Sequence, residues 1–111
     1  MVQVINDSEF VQRIKKNVDS NSSRPLVVDC FTDWCPPCKA SAPIYEQLSQ
    51  KYGDKADFVK VNVDYNQGVA QQLRVQGVPT FVIIVGRNLK AKIVGADMRK
   101  VEREIRKVLG L

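Results

Sequence analysis

The run Leu26-Val27-Val28-Asp29-Cys30-Phe31-Thr32-Asp33-Trp34-Cys35-Pro36-Pro37-Cys38-Lys39 decides how the rest of the chain is read. Its first six residues are nearly continuously apolar. Apolar character on both alternating faces predicts a central strand covered on both sides. A helix is expected to follow at once, over residues 35–51, closing near Gly53. Cys35 then stands at the junction of strand and helix, and Cys38 one turn further in. Pro37 precedes Cys38 and fixes the backbone there.

Working outward, Phe10, Val11, Ile14 and Val18 recur at helical spacing, and Asn6 with Glu9 three residues on has the form of a capping box. A helix is expected over residues 7–18, followed by a polar loop that ends at Pro25. Residues 58–63 alternate as a strand with Val59, Val61 and Val63 on one face. Residues 67–74 form a short helix, and 80–85 a second buried strand. Gly86-Arg87-Asn88 is a turn, after which residues 89–94 pair back as a hairpin. Val101, Ile105, Val108 and Leu109 stripe a final helix. The expected order is strand, helix, strand, helix, strand, helix, strand, strand, helix. Helices between strands give parallel pairing and the hairpin adds an antiparallel edge. The class is α/β: one domain over residues 1–111, a mixed sheet of about five strands flanked by about four helices.

With 111 residues, 44% hydrophobic and 26% charged, the composition is that of an ordinary globular domain. Such a chain buries a core without disulfide staples, so its cysteines are free for chemistry. The net charge of +5 raises the possibility of nucleic acid or an anionic surface. The basic residues are scattered, and near the C-terminus Arg99, Lys100, Arg103, Arg106 and Lys107 interleave with Glu102 and Glu104. That pattern is a solvated helix face, and no nucleic-acid motif accompanies it. The first residues lack the basic and apolar regions of a secretory signal, and no apolar stretch is long enough to span a membrane. The expectation is a cytoplasmic, reducing setting with neither nucleic acid nor membrane as partner. In such a setting a Cys pair is more often catalytic or metal-binding than structural.

Two residues between Cys35 and Cys38 let the thiols meet across one helical turn. At the helix start, unpaired amides and the positive end of the dipole favour a thiolate, which makes Cys35 the nucleophile. Cys38, one turn further in, is expected to be shielded and so to be the resolving thiol. Half of a zinc site is the competing reading, but zinc usually takes four Cys or His ligands, and the chain has three Cys and no His. A stabilising disulfide is disfavoured too, since so small a loop restrains the unfolded chain little. Asp29 sits in the apolar strand six residues before Cys35. A carboxyl buried there has its pKa pushed up and can exchange a proton near neutrality, serving as base for Cys38. Cys30 points to the opposite face and reads as a small buried hydrophobe.

The same segment, together with Ala42-Pro43, Val61-Asn62-Val63-Asp64, Val78-Pro79-Thr80-Phe81 and Val94-Gly95-Ala96, resembles the thioredoxin family in order and spacing over essentially the whole chain. The resemblance implies the thioredoxin fold and a protein-disulfide reductase that works by dithiol–disulfide exchange through a redox-active Cys35–Cys38 disulfide. It makes Asp29 the buried acid, Lys60 its partner and Pro79 a cis-proline facing the disulfide. A cis bond would turn the Val78 backbone toward the cysteines. Gly77 and Gly95 fall beside a substrate groove to which Trp34, Pro36 and Pro37 also belong. Disulfide-containing client proteins and an NADPH-dependent thioredoxin reductase are the implied partners, and no cofactor is bound. Pro36 departs from the commonest motif, which has Gly there. Cys-Pro-Pro-Cys resembles tryparedoxin- and nucleoredoxin-type electron carriers. A client-binding module of a larger assembly competes with the reductase reading, as does an oxidase or isomerase.

Overall fold

In the computed structural model, which describes residues 2–111, the elements follow in the order β1 (Gln3–Val4), α1 (Asp7–Asp19), β2 (Leu26–Phe31), α2 (Pro36–Tyr52), β3 (Asp57–Asn62), α3 (Gln67–Gln72), β4 (Thr80–Val85), β5 (Asn88–Val94) and α4 (Met98–Leu109). The strands form one five-stranded sheet in the order β1-β3-β2-β4-β5. The first three pair in parallel, and the β4–β5 hairpin adds the antiparallel part. The α/β class and the element order are as expected from the sequence. Bounds differ by a residue or two in five elements. Helix α2 runs 36–52 rather than 35–51, because Cys35 is its N-cap. Strand β3 runs 57–62 and β5 begins at Asn88, because ladder pairing rather than side-chain alternation sets where a strand starts. Helix α1 reaches Asp19 inside the polar run, since its last turn needs only backbone bonding. Helix α3 stops at Gln72, and Arg74 then takes a left-handed φ of 52° that a helix cannot contain.

Each face of the sheet carries its own core. One is built on Val27, Phe58, Phe81 and Ile93 of the strands, against Tyr45 and Leu48 of α2 and Val101 and Ile105 of α4. The other joins Val28, Cys30, Val59, Val61 and Val82 to Phe10 of α1 and to Val69 and Leu73 of α3. Helix α1 begins with the capping box expected from the sequence: Glu9 N–H donates to Asn6 Oδ1 at 2.9 Å and Asn6 N–H to Glu9 Oε1 at 3.0 Å. The α2–β3 connection is tied by Arg24, whose guanidinium donates to the Asp57 carboxylate at 2.9 Å and to the carbonyls of Gly53 and Asp54 at 2.6 and 2.9 Å. That anchor holds the far end of α2 and so fixes the helix whose other end carries the cysteines.

The α2 helix is also pinned from beneath. Tyr45 is fully buried, and its hydroxyl lies 3.0 Å from the Val27 carbonyl oxygen and 2.9 Å from that of Val59. One proton is shared between two adjacent parallel strands. Tyr45→Phe keeps the ring and its edge-on contact with Phe58 but removes the only donor. It is expected to cost about 1–2 kcal/mol, read as a lower denaturant midpoint with an unchanged slope.

Candidate active site

The site begins where β2 ends. Val63 N–H donates to the Phe31 carbonyl at 3.0 Å and closes the last rung between β2 and β3. The chain then turns through Thr32, Asp33 and Trp34 into α2. Cys35 is the N-cap of that helix, with extended backbone (φ −96°, ψ 104°). Pro36 and Pro37 fill the first two helical positions. Proline suits them, because those amides have no intrahelical acceptor and its fixed φ is already helical. Among the first three helical residues only Cys38 has an N–H to offer. It donates to Cys35 Sγ at 3.1 Å. The two cysteines are joined as a disulfide with Cα atoms 5.1 Å apart.

Cys35 and Cys38 are almost equally buried, at 8% and 6% exposed. Shielding therefore does not tell them apart, contrary to the simplest reading of one exposed and one hidden thiol. The amide does: the Cys35 sulfur, at the positive end of the helix, accepts a backbone hydrogen bond, and both features favour its anion. Trp34 stands out from the surface, 81% exposed. Pro36 and Pro37 are exposed beside it.

Asp29 is 1% exposed, and its side chain shares the α2 face with Val27 while Val28 and Cys30 turn to the other. Its register partner on β3 is Lys60, and on β4 Phe81. Asp29 Oδ1 has no hydrogen-bond partner among the described residues. Burial therefore pushes its carboxyl up from 3.8 to about 6, against a smaller downward pull from the Lys60 ammonium. Lys60 is half-buried, with Nζ 4.7 Å from the centre of the Phe31 ring. It also lines, with Cys38, Lys39 and Thr32, a depression of about 360 Å³ on the Cys38 side of the site. Lys39 and Thr32 fall within the run quoted at the outset, but residue type alone does not show that they line a depression. Burial, with the Asp29 charge behind it, pushes the Cys30 thiol up to about 12. It is an inert packing group beneath the second core.

A third segment, preceding β4, reaches the same end of the sheet, since Thr80 is the register partner of Cys30. The Val78–Pro79 peptide bond is cis. Pro79 is buried, while Gly77 and Val78 are half-buried. The Thr80 hydroxyl donates to the Gly77 carbonyl, and Gly95 N–H donates to the Pro79 carbonyl at 2.8 Å. Gly95 has φ +99°, a conformation that a side chain would strain. Gly77, Val78, Pro79 and Gly95 thus form one cluster. Among the described residues no group of three His, Cys, Asp or Glu side chains could hold a metal.

The sequence matches the Thioredoxin family model over residues 1–107. The chain belongs to the thioredoxin family. It is 42% identical to a thioredoxin-like protein of Fusarium culmorum, over 100% of this chain and 93% of that one. To thioredoxin H4 of Arabidopsis thaliana it is 39% identical, over 81% of this chain and 76% of the relative. The crystal structure of reduced Schistosoma mansoni thioredoxin superimposes with a TM-score of 0.86 at 33% identity, over 96% of this chain and 97% of the other. With Cys35 and Cys38 at disulfide distance, the protein is a thiol–disulfide oxidoreductase of the protein-disulfide reductase kind.

In this thioredoxin-family protein the buried acid links stability to pH. A folded pKa near 6 against 3.8 unfolded means that the native state holds its proton more tightly. The stability penalty is absent below about pH 4, grows as pH rises through 6, and is complete above it. Asp29→Asn removes it. The variant should gain roughly 2 kcal/mol more over wild type at pH 8 than at pH 4, at about 1.4 kcal/mol per pKa unit and with the unfolded carboxyl already partly ionised at pH 4. Denaturation curves at the two pH values measure this. A variant less stable than wild type at pH 8 contradicts a buried, desolvated Asp29.

Proposed function

We propose that the protein reduces disulfides in client proteins, with Cys35 as attacking thiolate and Cys38 as resolving thiol. The Cys38 N–H aimed at Cys35 Sγ, at the start of α2, carries this reading. In the reduced protein, Cys35 attacks one sulfur of the client disulfide. A mixed disulfide forms and the other client sulfur leaves as a thiolate that takes up a proton. Cys38, its proton passing to Asp29 through a water, then attacks Cys35 Sγ. The second client sulfur leaves as a thiolate, which takes up the proton that Asp29 gives back through the water, and the Cys35–Cys38 disulfide is formed. Two electrons move from dithiol to client.

Asp29 suits the role of proton acceptor because its pKa of about 6 lets it change state close to neutrality. Lys60 opposes that rise. The groove around Trp34, Pro36, Pro37, Gly77, Val78, Pro79 and Gly95 would hold the client as an extended strand. Re-reduction falls to a thioredoxin reductase, by our reading an NADPH-dependent flavoprotein, in a reducing cytoplasmic compartment. The remaining cysteine, Cys30, is a buried free thiol rather than a staple, which suits such a compartment.

Insulin reduction tests the assignment. Cys35→Ser should lose activity entirely. Cys38→Ser should accumulate mixed disulfides through Cys35 that are visible on non-reducing gels. Cys30→Ser should keep near wild-type turnover, because that thiol lies on the opposite face of β2. Mixed disulfides captured through Cys38 in a Cys35→Ser background would reverse the two roles.

Asp29→Asn gives a second measurement. It should slow resolution of the mixed disulfide by about 100-fold, the lower end for loss of a general base, while leaving the first attack nearly unchanged. Single-turnover kinetics separate the two steps. Resolution at the wild-type rate would remove Asp29 from the mechanism.

A further inference from the structure

The β3–α3 loop presents a second large aromatic at the active-site edge. Tyr65 is 74% exposed. Phe31 and Asn62 are register partners in the β2–β3 ladder, and Trp34 and Tyr65 each lie three residues beyond them. The two rings therefore leave the sheet in neighbouring loops at the same end, on either side of the last rung. Each follows an exposed carboxylate, Asp33 before Trp34 and Asp64 before Tyr65. Neither carboxylate is in an ion pair among the described residues.

The loop that carries Tyr65 is held unusually firmly for a surface turn. Asp64 N–H donates to Asn62 Oδ1 at 3.0 Å, and Tyr65 N–H to the Asn62 carbonyl at 3.3 Å. Asn66 Nδ2 donates to the same carbonyl at 2.9 Å, while Asn66 Oδ1 accepts from Asp7 N–H at 2.9 Å. The Asp7 carboxylate in turn accepts from the amides of Gly68 and Val69 at 3.1 and 2.8 Å. A Cβ on residue 68 would stand 3.0 Å from that carboxylate, so glycine is what lets α1 clamp the start of α3. The amides of this scaffold donate to oxygens of Asn62, Asn66 and Asp7 within it, and the large side chain it presents outward is an aromatic ring. Exposing such a ring on a pre-ordered support forfeits its burial and saves the entropy of ordering it on contact. Both are properties of a binding residue rather than a packing one.

The geometry points to Tyr65 as a specificity-determining contact for clients, selecting those with an Arg or Lys close to the target disulfide. The two ring faces would take the cation by cation–π contact while Asp33 and Asp64 supply the opposing charge. The protein's own cations at this end, Lys39 and Lys60, line the depression on the Cys38 side together with Asp33, but neither is in an ion pair with it among the described residues, and Lys60 is turned onto the Phe31 ring. This inference rests on the exchange reaction proposed above.

Two disulfide-bridged peptides, identical except for Arg or Glu two residues from the attacked cysteine, provide the test. The wild-type protein should reduce the Arg peptide with kcat/KM about two- to fivefold higher, the range of an exposed cation–π contact, with the difference lying in KM. Tyr65→Ala should bring the ratio close to one, and Tyr65→Phe, which keeps the ring, should retain it. In parallel, emission of Trp34, the sole tryptophan, follows binding of versions of both peptides with Ser in place of Cys, without any exchange. A wild-type ratio of one or below, or a ratio that Tyr65→Ala does not change, overturns the assignment. If the wild-type protein reduced neither peptide, the exchange reading would fall, and the fluorescence comparison would still decide the Arg preference.

Discussion

Strand β2 is hydrogen-bonded along both edges, in parallel to β3 and antiparallel to β4. That pairing leaves no edge for solvent, and helices cover both faces, so every β2 side chain except the last is buried. The consequence is twofold. The strand must be apolar throughout, and any polar group placed in it carries the full desolvation cost. It also delivers the chain at a fixed point and direction, because the register with β3 runs to Phe31 and one further backbone bond closes it. Helix α2 can start only there, and with it the cysteine pair.

The one polar side chain in β2 is the one the chemistry can use. Asp29 is tolerated at a cost of roughly 3 kcal/mol when ionised, on the scale set by a pKa near 6, in a molecule whose net stability is of the order of 5–15 kcal/mol. Lys60, its register neighbour, offsets part of this from a half-buried position while its charge also rests on the Phe31 ring. A solvated acid would be ionised throughout the neutral range, and a fully isolated one would stay protonated. The partial compensation leaves the group titrating in between.

At the helix start, the two prolines narrow what the backbone can do. They remove two of the amides that a helix N-terminus ordinarily presents, leaving Cys38 N–H as the donor to the Cys35 sulfur. The opposite face of the sheet has a comparable economy of polar groups. There Asp7 caps α3 from another helix and the Asn62–Asn66 pair fastens the connecting loop, so the β3 side of the last rung is tied down by hydrogen bonds.

Much of this was legible in the residues themselves. Two-sided apolar runs marked β2 and β4, 3.6-residue periodicity marked α1 and α4, and Asn6 with Glu9 announced the first helix, because these signals are local and each element carries its own. The spacing of Cys35 and Cys38 at a strand–helix junction was enough to suggest thiol chemistry, since bond lengths and helical pitch alone bring those sulfurs together. Tertiary structure decided the rest. Lys60 on an alternating strand looks like any solvated lysine until the parallel register sets it beside Asp29. Tyr65 in a polar loop gives no sign of what supports it, because its scaffold comes from Asp7, nearly sixty residues away. The cluster of Gly77, Pro79 and Gly95 exists only once the β4–β5 hairpin folds back. Sequence patterns record what a residue's immediate neighbours demand. Which distant groups share a charge, a hydrogen bond or a surface depends on strand register and helix packing, which the whole chain sets together.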